Sequence, residues 1–390
     1  MAKTENGYFL IADITGYTYF LSASELEHAH EILQTLMELL IQHTRPPLII
    51  SRLAGDAVIS YGLRDNFLSG QTFIEMIEDT YVAFRRAINL MVLNTSCKCN
   101  ACANIHTLDL KFFVHYGTFT RQRLDAHDEL LGADVIVIHR LLKNHVTENT
   151  GCRAYALYTD AAIRQLAIED VCASMTEHFE KYEHLGPVKT WIQDMQPIWL
   201  AKQGHLKITL PPDQITVQEN RVFPIPLEIL WDMLTLPRYR APVMGAVNQK
   251  ILNRQDGRIA PGSQFHCFHG DGRETFQTIL EWHPFEQMTT EDTTPVPHTT
   301  VLVNLRLDPE ARGTRLTVTI SKAKGAFLLR KTCDLVARTI LPKTFREGLE
   351  KLDGLIKEDL KIGKYVLPEP IPVPAEQIGT AVQASLNIIG

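Results

Sequence analysis

The stretch YFLIADITGYTYFLS, from Tyr8 to Ser22, determines how the first half of the chain is interpreted. Its apolar, β-branched start predicts a buried strand over residues 8–14, and Asp13 is the only acid in that run. A tight turn and then a helix are predicted next, and the turn consists of Thr15, Gly16, Tyr17 and Thr18. A carboxylate that ends a buried strand needs an explanation, because a buried charge is costly without a partner.

The composition indicates a globular protein of two or three domains. The chain has 390 residues, of which 45% are hydrophobic and 22% charged, and its net charge is −6. This balance lacks the basic footprint of nucleic-acid binding, and no apolar run reaches the roughly 18 residues of a membrane helix. We expect no signal peptide, and seven cysteines in so long a chain favour a reducing, cytoplasmic location.

Residues 1–200 alternate predicted strands and helices. The spacing of Leu33, Leu36 and Leu40 predicts an amphipathic helix, and the Gly-Asp turn at Asp56 predicts a hairpin. The predicted elements are a strand at 8–14, a helix at 24–43, a hairpin at 47–62, a helix at 70–94, a strand at 107–119, a helix at 132–145 and a hairpin at 178–199.

A linker is predicted at 201–214, which contains paired prolines, and the half that follows it is richer in predicted strands. The predicted elements there are a strand at 215–223, a short helix at 224–235, six strands between 246 and 321, and one long helix at about 323–360, kinked at Pro342. A long helix over a curved antiparallel sheet predicts an α+β sandwich at 215–362. A proline-rich extended tail is expected at 363–390.

Two acids form the first candidate site. If the strands that carry Asp13 and Asp56 pair in one sheet, both carboxylates converge at one edge. Two close carboxylates repel each other unless a proton or a cation lies between them. Mg²⁺ or Mn²⁺ suits such oxygen ligands and is commonly shared with substrate phosphates, which backbone N–H groups of the turn could also cradle. The alternative is that both acids are ordinary turn or cap residues.

Four segments resemble, in order, the motif blocks of class III nucleotidyl cyclases. The segments are FLIADITGYTYFL, SRLAGDAVISYG, LKFFVHYGTF and LLGADVIVIHRL, within roughly residues 6–200. The resemblance implies a ferredoxin-like sheet with helices on one face and a nucleoside triphosphate as ligand. It also implies that Asp13 and Asp56 hold two metal ions, Mg²⁺ or Mn²⁺.

The same resemblance assigns further roles residue by residue. Arg52 falls on the purine-selecting lysine and Glu129 on the purine-selecting acid, although a surface salt bridge between them remains an alternative. Arg140 falls on the arginine that stabilises the transition state. Ile136 falls on the asparagine that orients the ribose, and this departure opposes catalysis because isoleucine cannot hydrogen-bond. Since such sites form between two chains or two domains, and one such domain is present here, the resemblance implies a head-to-tail homodimer or else an incomplete site.

A cysteine cluster, CKCNAC at 97–102, forms the second candidate site. Cys97, Cys99, Cys102 and the nearby His106 are residue types that bind tetrahedral Zn²⁺. Three interpretations remain open. They are a zinc site completed by His106 or by a ligand from elsewhere, thiols packed at a helix end, and a redox-active pair.

The second half, roughly residues 213–362, resembles the START-like or SRPBCC helix-grip superfamily. The resemblance rests on the helix start PIPLEILW and the hairpin EWHPFE. It implies an apolar cavity beneath the long helix that takes an apolar small molecule or lipid. Trp231 is a predicted lining residue, and strand alternation puts His266 and Phe268 on one face and Cys267 and His269 on the other. We expect His266 and Phe268 to line the cavity.

Three functions follow as hypotheses. The preferred one is a divergent nucleotide- and metal-binding cyclase-like domain, with weak or no turnover, fused to a ligand-responsive START-like domain for signalling. The second is an active adenylate or guanylate cyclase, which Asp13, Asp56 and Arg140 favour. The third is a non-enzymatic carrier of an apolar ligand, in which the cyclase-like part serves dimerisation.

Overall fold

Two β-sheets, one in each half of the chain, organise the structure. The computed structural model describes residues 3–94, 97, 99–124, 127–183, 185–203 and 207–365. The predicted tail beyond residue 365 therefore lies outside the described residues. Mixed sheets and helices, with one long helix near the C-terminus, confirm the α+β class. The limits of the predicted domains stay predictions.

The first half contains eight strands and eight α-helices among the described residues. They are β1 (Thr4–Thr15), α1 (Tyr17–Ser22), α2 (Leu26–His43), β2 (Ile49–Ala54), β3 (Ala57–Leu63), α3 (Gly70–Asn94), α4 (Asn100–Asn104), β4 (Asp109–Leu124), β5 (His127–Leu131), α5 (Ala133–Leu141), α6 (Val146–Thr150), β6 (Tyr155–Thr159), α7 (Asp160–Leu166), β7 (Thr176–Tyr182), β8 (Gly186–Asp194) and α8 (Gln196–Gln203).

Strand β1 lies in the middle of the first sheet. The strand order is β2-β3-β1-β4-β6-β8-β7, and β5 pairs with β4. Strands β4 and β6 run parallel, whereas the other neighbours run antiparallel. The antiparallel registers place Asp13 opposite Ala57 of β3 on one side and opposite Lys111 of β4 on the other.

Both faces of this sheet are covered, because side chains alternate along β1. Tyr8 and Leu10 join the cluster that contains α2, α3 and α7. Phe9 and Ile11 join a second cluster, to which α5 contributes Ile138. The expectation of helices on one face is therefore wrong. The segment between the parallel strands β4 and β6 crosses the opposite face, and α5 packs there.

The second sheet is antiparallel throughout, in the order β10-β11-β12-β13-β14-β15-β9. Its elements are β9 (Ile215–Phe223), α9 (Leu227–Thr235), α10 (Pro237–Val243), β10 (Asn248–Asn253), β11 (Gln264–Phe268), β12 (Glu274–His283), β13 (Gln287–Thr293), β14 (Thr300–Glu310), β15 (Gly313–Ser321) and α11 (Phe327–Lys361). Helix α11 contains Pro342 and continues through it as one element.

The hairpin predicted at 178–199 ends earlier than expected. Strand β8 stops at Asp194, and residues 196–203 form α8 instead. The Asp194 carboxylate accepts a hydrogen bond from the backbone N–H of Gln196 at 3.0 Å, and Pro197 stands in the first turn, where it suits a helix start.

Helix α3 joins the two halves through a buried polar contact. Glu75, 3% exposed, accepts hydrogen bonds from the indole N–H groups of Trp231 at 2.8 Å and Trp282 at 2.7 Å. One turn further on, Glu78 accepts a hydrogen bond from Arg258 at 2.7 Å. Burial raises the pKa of Glu75. The two sheets therefore share a polar, desolvated interface.

Candidate functional site

The two predicted acids lie side by side at one edge of the first sheet. Asp13 is near the end of β1, and Asp56 is the last residue of the turn before β3. The backbone N–H of Ile14 donates to the carbonyl oxygen of Asp56 at 3.0 Å, which holds the two chain segments together. The pairing that the sequence required for a shared site is therefore present.

The carboxyl group of Asp13 lies in an environment that disfavours its charged form. Burial raises the pKa of Asp13 to about 6, and repulsion from Asp56 adds to the rise, while Lys111 opposes it. Among the described residues, no side chain or backbone N–H donates a hydrogen bond to either carboxylate. Two half-buried oxygen donor groups without protein donors suit a hard cation.

Lys111 is a site residue that sequence analysis did not single out. It lies on β4, directly opposite Asp13 of β1, and its ammonium is 5.1 Å from the centre of the Tyr155 ring. Burial lowers its pKa, although Asp13 acts in the opposite direction. The residue stands in the quoted third block, but only the cross-strand register reveals that it faces Asp13.

The turn after β1 is closely supported. Gly16 has φ of 87°, a left-handed conformation that favours glycine, and a Cβ there would lie 3.0 Å from the carbonyl oxygen of Thr107. The buried hydroxyl of Thr15 has no hydrogen-bond partner among the described residues. Thr15 is the last residue of β1, and Tyr17 and Thr18 already begin the short helix α1. The predicted four-residue turn is therefore wrong, because only Gly16 separates the strand from the helix.

The structure brings Arg52 and Glu129 together at the surface. Their charged groups are 3.5 Å apart, and Arg52 also lies 3.2 Å from the Nε2 atom of His139. The two side chains are 45% and 35% exposed, which is a weak, screened contact. Both groups thus remain accessible to a ligand.

Arg140 lies on α5 beside a cleft of about 470 Å³. No acid within the described part of the chain forms an ion pair with it, and Ile136 in the same cleft is 54% exposed. Helix α5 is held to β4 by Asp134, which accepts from the backbone N–H of Thr118 at 2.7 Å and lies 3.2 Å from His115.

The three cysteines of the cluster lie together, and the histidine beside them comes from elsewhere in the chain rather than from position 106. His28, at the start of α2, lies with Cys97, Cys99 and Cys102. His106 is not a member of this group. The sequence carries little signal for His28, because it precedes the cluster by about 70 residues.

A cavity of about 220 Å³ lies between α11 and the second sheet. Its lining includes His269, Asp292 and Ala337. Trp231, His266 and Phe268, the predicted lining residues, are not among the residues that line it. Trp231 is fully buried against α3 instead, because its indole N–H is held by Glu75.

The face of β11 that carries His266 and Phe268 does not line the cavity, contrary to expectation. His266 stacks on Phe276 with ring centres 4.4 Å apart, and its Nε2 atom lies 2.9 Å from Glu274. Its neighbour Cys267 is fully buried, and His269 on the same side reaches the cavity. The lining face is therefore that of His269, a correction that the register of β10, β11 and β12 imposes.

Buried polar groups extend inward from this cavity. Gln249 donates to Gln277 at 2.9 Å, and Gln277 donates to Asp292. Burial raises the pKa of Asp292 to about 6. Arg240 is fully buried nearby. Two guanidinium nitrogens of Arg240 and one carboxylate oxygen of Asp292 have no hydrogen-bond partner within the described ranges. Buried polar atoms of this kind usually hydrogen-bond to protein, water or a ligand.

Comparison with known sequences gives matches to part of the chain. Residues 33–150 match a family described as "Protein of unknown function (DUF2652)", which is less than half of the chain. An uncharacterized protein of Mycobacterium tuberculosis is 32% identical over 99 residues, which make up 25% of this chain and 44% of that protein. The chain thus spans less than half the length of this curated relative.

Solved structures of cyclases are similar to about half of the chain. A guanylyl cyclase is 11% identical with a TM-score of 0.36, covering 49% of this chain and 92% of that one. A bacterial light-regulated adenylyl cyclase is 11% identical with a TM-score of 0.39, covering 52% and 56%. The adenylyl cyclase CyaB from P. aeruginosa is 12% identical with a TM-score of 0.35, covering 49% and 95%. All three structures share little sequence and only a partial structural match with this chain.

Among the described helices, none combines the length and the apolar character that crossing a bilayer requires.

Proposed function

We propose that the first half of this chain is a divergent class III cyclase-like domain that binds a divalent cation and a nucleoside triphosphate. The observation that carries the proposal is the pairing of Asp13 with Asp56 at one sheet edge, where burial and mutual repulsion raise the pKa of Asp13. The order of the four motif blocks supports the same assignment.

Asp13 and Asp56 would hold Mg²⁺ or Mn²⁺, since their oxygens have no donors from the described protein residues. When bound, such ions supply activation of a ribose hydroxyl and neutralisation of phosphate charge. Lys111, opposite Asp13, adds a positive charge from the chain itself. The backbone of the turn at Gly16 lies beside the acids, where it can meet a phosphate.

Arg52, Glu129 and Arg140 would contact the nucleotide from the other side. Arg52 and Glu129 are accessible, so they could leave their mutual ion pair and hydrogen-bond the edge of the nucleotide base. The guanidinium of Arg140 could bind a phosphate. In the head-to-tail homodimer that we propose, these residues of one copy face the acids of the other.

We expect weak or no cyclase turnover. Ile136 stands where the resemblance calls for an asparagine, and its exposed aliphatic side chain can neither donate to nor accept from a ribose. Positioning of the attacking hydroxyl is then lost, and positioning is the main contribution of the protein in phosphoryl transfer.

The test is incubation of the purified protein with ATP or GTP and Mn²⁺, followed by mass spectrometry of the products and by calorimetry of binding. We expect the wild type to bind nucleotide and Mn²⁺ without forming a product, and we expect Asp56→Asn to lose this binding. The control Asp308→Asn changes an exposed acid paired with Arg306 and should bind as the wild type does.

A cyclic nucleotide that disappears in Asp56→Asn would instead establish an active cyclase. Absence of any binding isotherm for Mn²⁺ and nucleotide would overturn the proposal and leave a dimerisation role for this half.

The second half supports a second function, the binding of a small molecule in a START-like cavity under α11. The observation that favours it is the line of buried polar groups from Gln249 to Asp292, with Arg240 beside it. A ligand with an apolar body and one polar group would fill the cavity and hydrogen-bond Asp292, which lines it. Together the halves would form a ligand-responsive signalling protein.

Extraction of purified protein with organic solvent and mass spectrometry tests this function. Ala337 lines the cavity, so Ala337→Trp should abolish co-purification of the ligand. Leu335→Trp lies on the same helix at a position 68% exposed and should retain it. Equal ligand content in both variants would contradict binding in this cavity.

A further inference from the structure

We propose that His28, Cys97, Cys99 and Cys102 form a structural zinc site in the first half of the chain. One ligand atom from each of the four residues lies within 4.8 Å of the other three. The residues come from three pieces of chain, namely the start of α2, the segment after α3 and the helix α4. This site is separate from the acids at Asp13 and from any nucleotide.

The donor atoms have nearly the spacing that a tetrahedral ion requires. The Nδ1 atom of His28 is 3.2 Å from the sulfur of Cys99 and 3.7 Å from that of Cys97. With zinc bonded to sulfur and nitrogen at about 2.3 and 2.0 Å, neighbouring ligand atoms lie roughly 3.5–3.8 Å apart. A small contraction of the most distant pair is therefore enough to enclose the ion.

Backbone groups already support the sulfur atoms. The N–H of Cys99 donates to the sulfur of Cys97 at 3.5 Å, and the N–H of Cys102 donates to the sulfur of Cys99 at 3.4 Å. Such outer contacts orient metal ligands.

The two chain segments that carry the ligands are also tied together outside the cluster. Glu25, which precedes α2, accepts hydrogen bonds from Ala101 at 3.0 Å and from Asn100 at 3.1 Å. The contact of α2 with α4 therefore does not depend on the ligands alone.

The donor set selects the ion. Three thiols and an imidazole are soft or intermediate ligands, which suit zinc rather than Mg²⁺. All seven cysteines lie in the described part of the chain, and none forms a disulfide. Four protein ligands fill a tetrahedron and leave no open position, so the site is structural rather than catalytic.

The site has a definite place in the fold. Helix α4 leads into the residues 105–107, and the carbonyl oxygen of Thr107 lies against Gly16. Ala101 and Ile105 on this segment are buried in the main core. An ion bound to α2 and α4 would thus fix the support beneath the turn that follows Asp13.

The experiment measures zinc in the full-length protein, purified without a metal-affinity step. One zinc per chain is expected by elemental mass spectrometry. Replacement by Co²⁺ should give the intense visible absorption of a tetrahedral thiolate site. Competition with a chelator gives the affinity of the wild type, so the test does not depend on any variant folding.

Two variants identify the histidine ligand. His28→Ala should bind zinc more weakly by over 100-fold, because loss of an outer-shell partner alone costs roughly 10- to 100-fold. His106→Ala is the matched control, since His106 is exposed, close in sequence and outside the cluster; it should keep full zinc and the cobalt spectrum.

Wild-type protein with less than half an equivalent of zinc after zinc loading and dialysis would overturn the proposal. So would a disulfide among Cys97, Cys99 and Cys102 in protein purified under reducing conditions. Full zinc in His28→Ala together with loss in His106→Ala would also overturn the ligand set. None of these outcomes depends on nucleotide binding.

Discussion

The charged form of Asp13 destabilises the folded state at neutral pH, because its carboxylate is partly buried and close to Asp56. Its pKa of about 6 in the folded chain exceeds the ordinary value of 3.8. Between these values the folded state holds a proton that the unfolded state has released, so stability falls as pH rises through this window and is level above it. The whole effect amounts to about 3 kcal/mol at neutral pH.

Asp13→Asn should therefore raise the free energy of unfolding at pH 7 by about 2 kcal/mol in metal-free buffer, because a buried charge disappears. Urea denaturation at a series of pH values measures this. The wild type should lose stability between about pH 4 and 6, and the variant should lose less. Asp308→Asn should follow the wild-type curve, and identical curves for Asp13→Asn and wild type would contradict the raised pKa.

Lys111 offers a second test at the residue scale. Lys111→Met removes an ammonium that faces Asp13, so Mn²⁺ should bind roughly three- to tenfold more tightly in the absence of nucleotide. Calorimetric titration measures the change. Lys189→Met, which removes a lysine paired with Glu177 on another strand, should leave the affinity unaltered. Weaker Mn²⁺ binding in Lys111→Met would show that the lysine supports the site rather than competes with the cation.

At the scale of elements, the long helix α11 depends on one close approach. Gly348 faces α10, and a Cβ at this position would come well inside contact distance of the Pro242 carbonyl oxygen. Gly354, six residues later in the same helix, has no atom within 4 Å of the equivalent point. The same substitution should therefore have opposite effects at the two positions.

Gly348→Ala should lower the free energy of unfolding by about 2 kcal/mol, because α11 must move away from α10. Gly354→Ala should raise it by up to about 1 kcal/mol, since alanine favours the helix and meets no obstacle. Urea denaturation compares the two. A gain in stability for Gly348→Ala would show that α11 does not pack on α10 at this distance.

At the scale of the whole molecule, the junction through α3 joins the two sheets into one unit. Glu75 and Glu78 reach from the first half to Trp231, Trp282 and Arg258 of the second, and the groups are largely buried. Removing an acceptor from a buried group of donors costs more than an exposed contact contributes, because the donors keep their desolvation penalty.

Differential scanning calorimetry should show one unfolding transition for the wild type. Glu75→Ala leaves two indole N–H groups without their acceptor and should cost about 3 kcal/mol, so that the two halves unfold in separate transitions. Glu310→Ala removes an acid from an exposed pair with Arg315 and should leave a single transition. A single, equally stable transition in Glu75→Ala would mean that the halves are coupled by other contacts.

Much of this architecture follows from local sequence patterns. The periodicity of residues 70–94 predicted a helix, and α3 spans Gly70–Asn94. The strand run around Asp13 and the turn at Asp56 predicted two acids at one sheet edge, where the structure has them. Such features depend on interactions within a few residues of each other, which the sequence displays directly.

Contacts between distant segments decided the rest. Only the packing of α2 beside α4 brings His28, rather than His106, to the three cysteines. Only the strand register puts Lys111 opposite Asp13 and directs His269, rather than His266, to the cavity. The physical reason is that alternation in a strand defines two faces but not which face is inward, and that choice is made by the apolar surface each face buries.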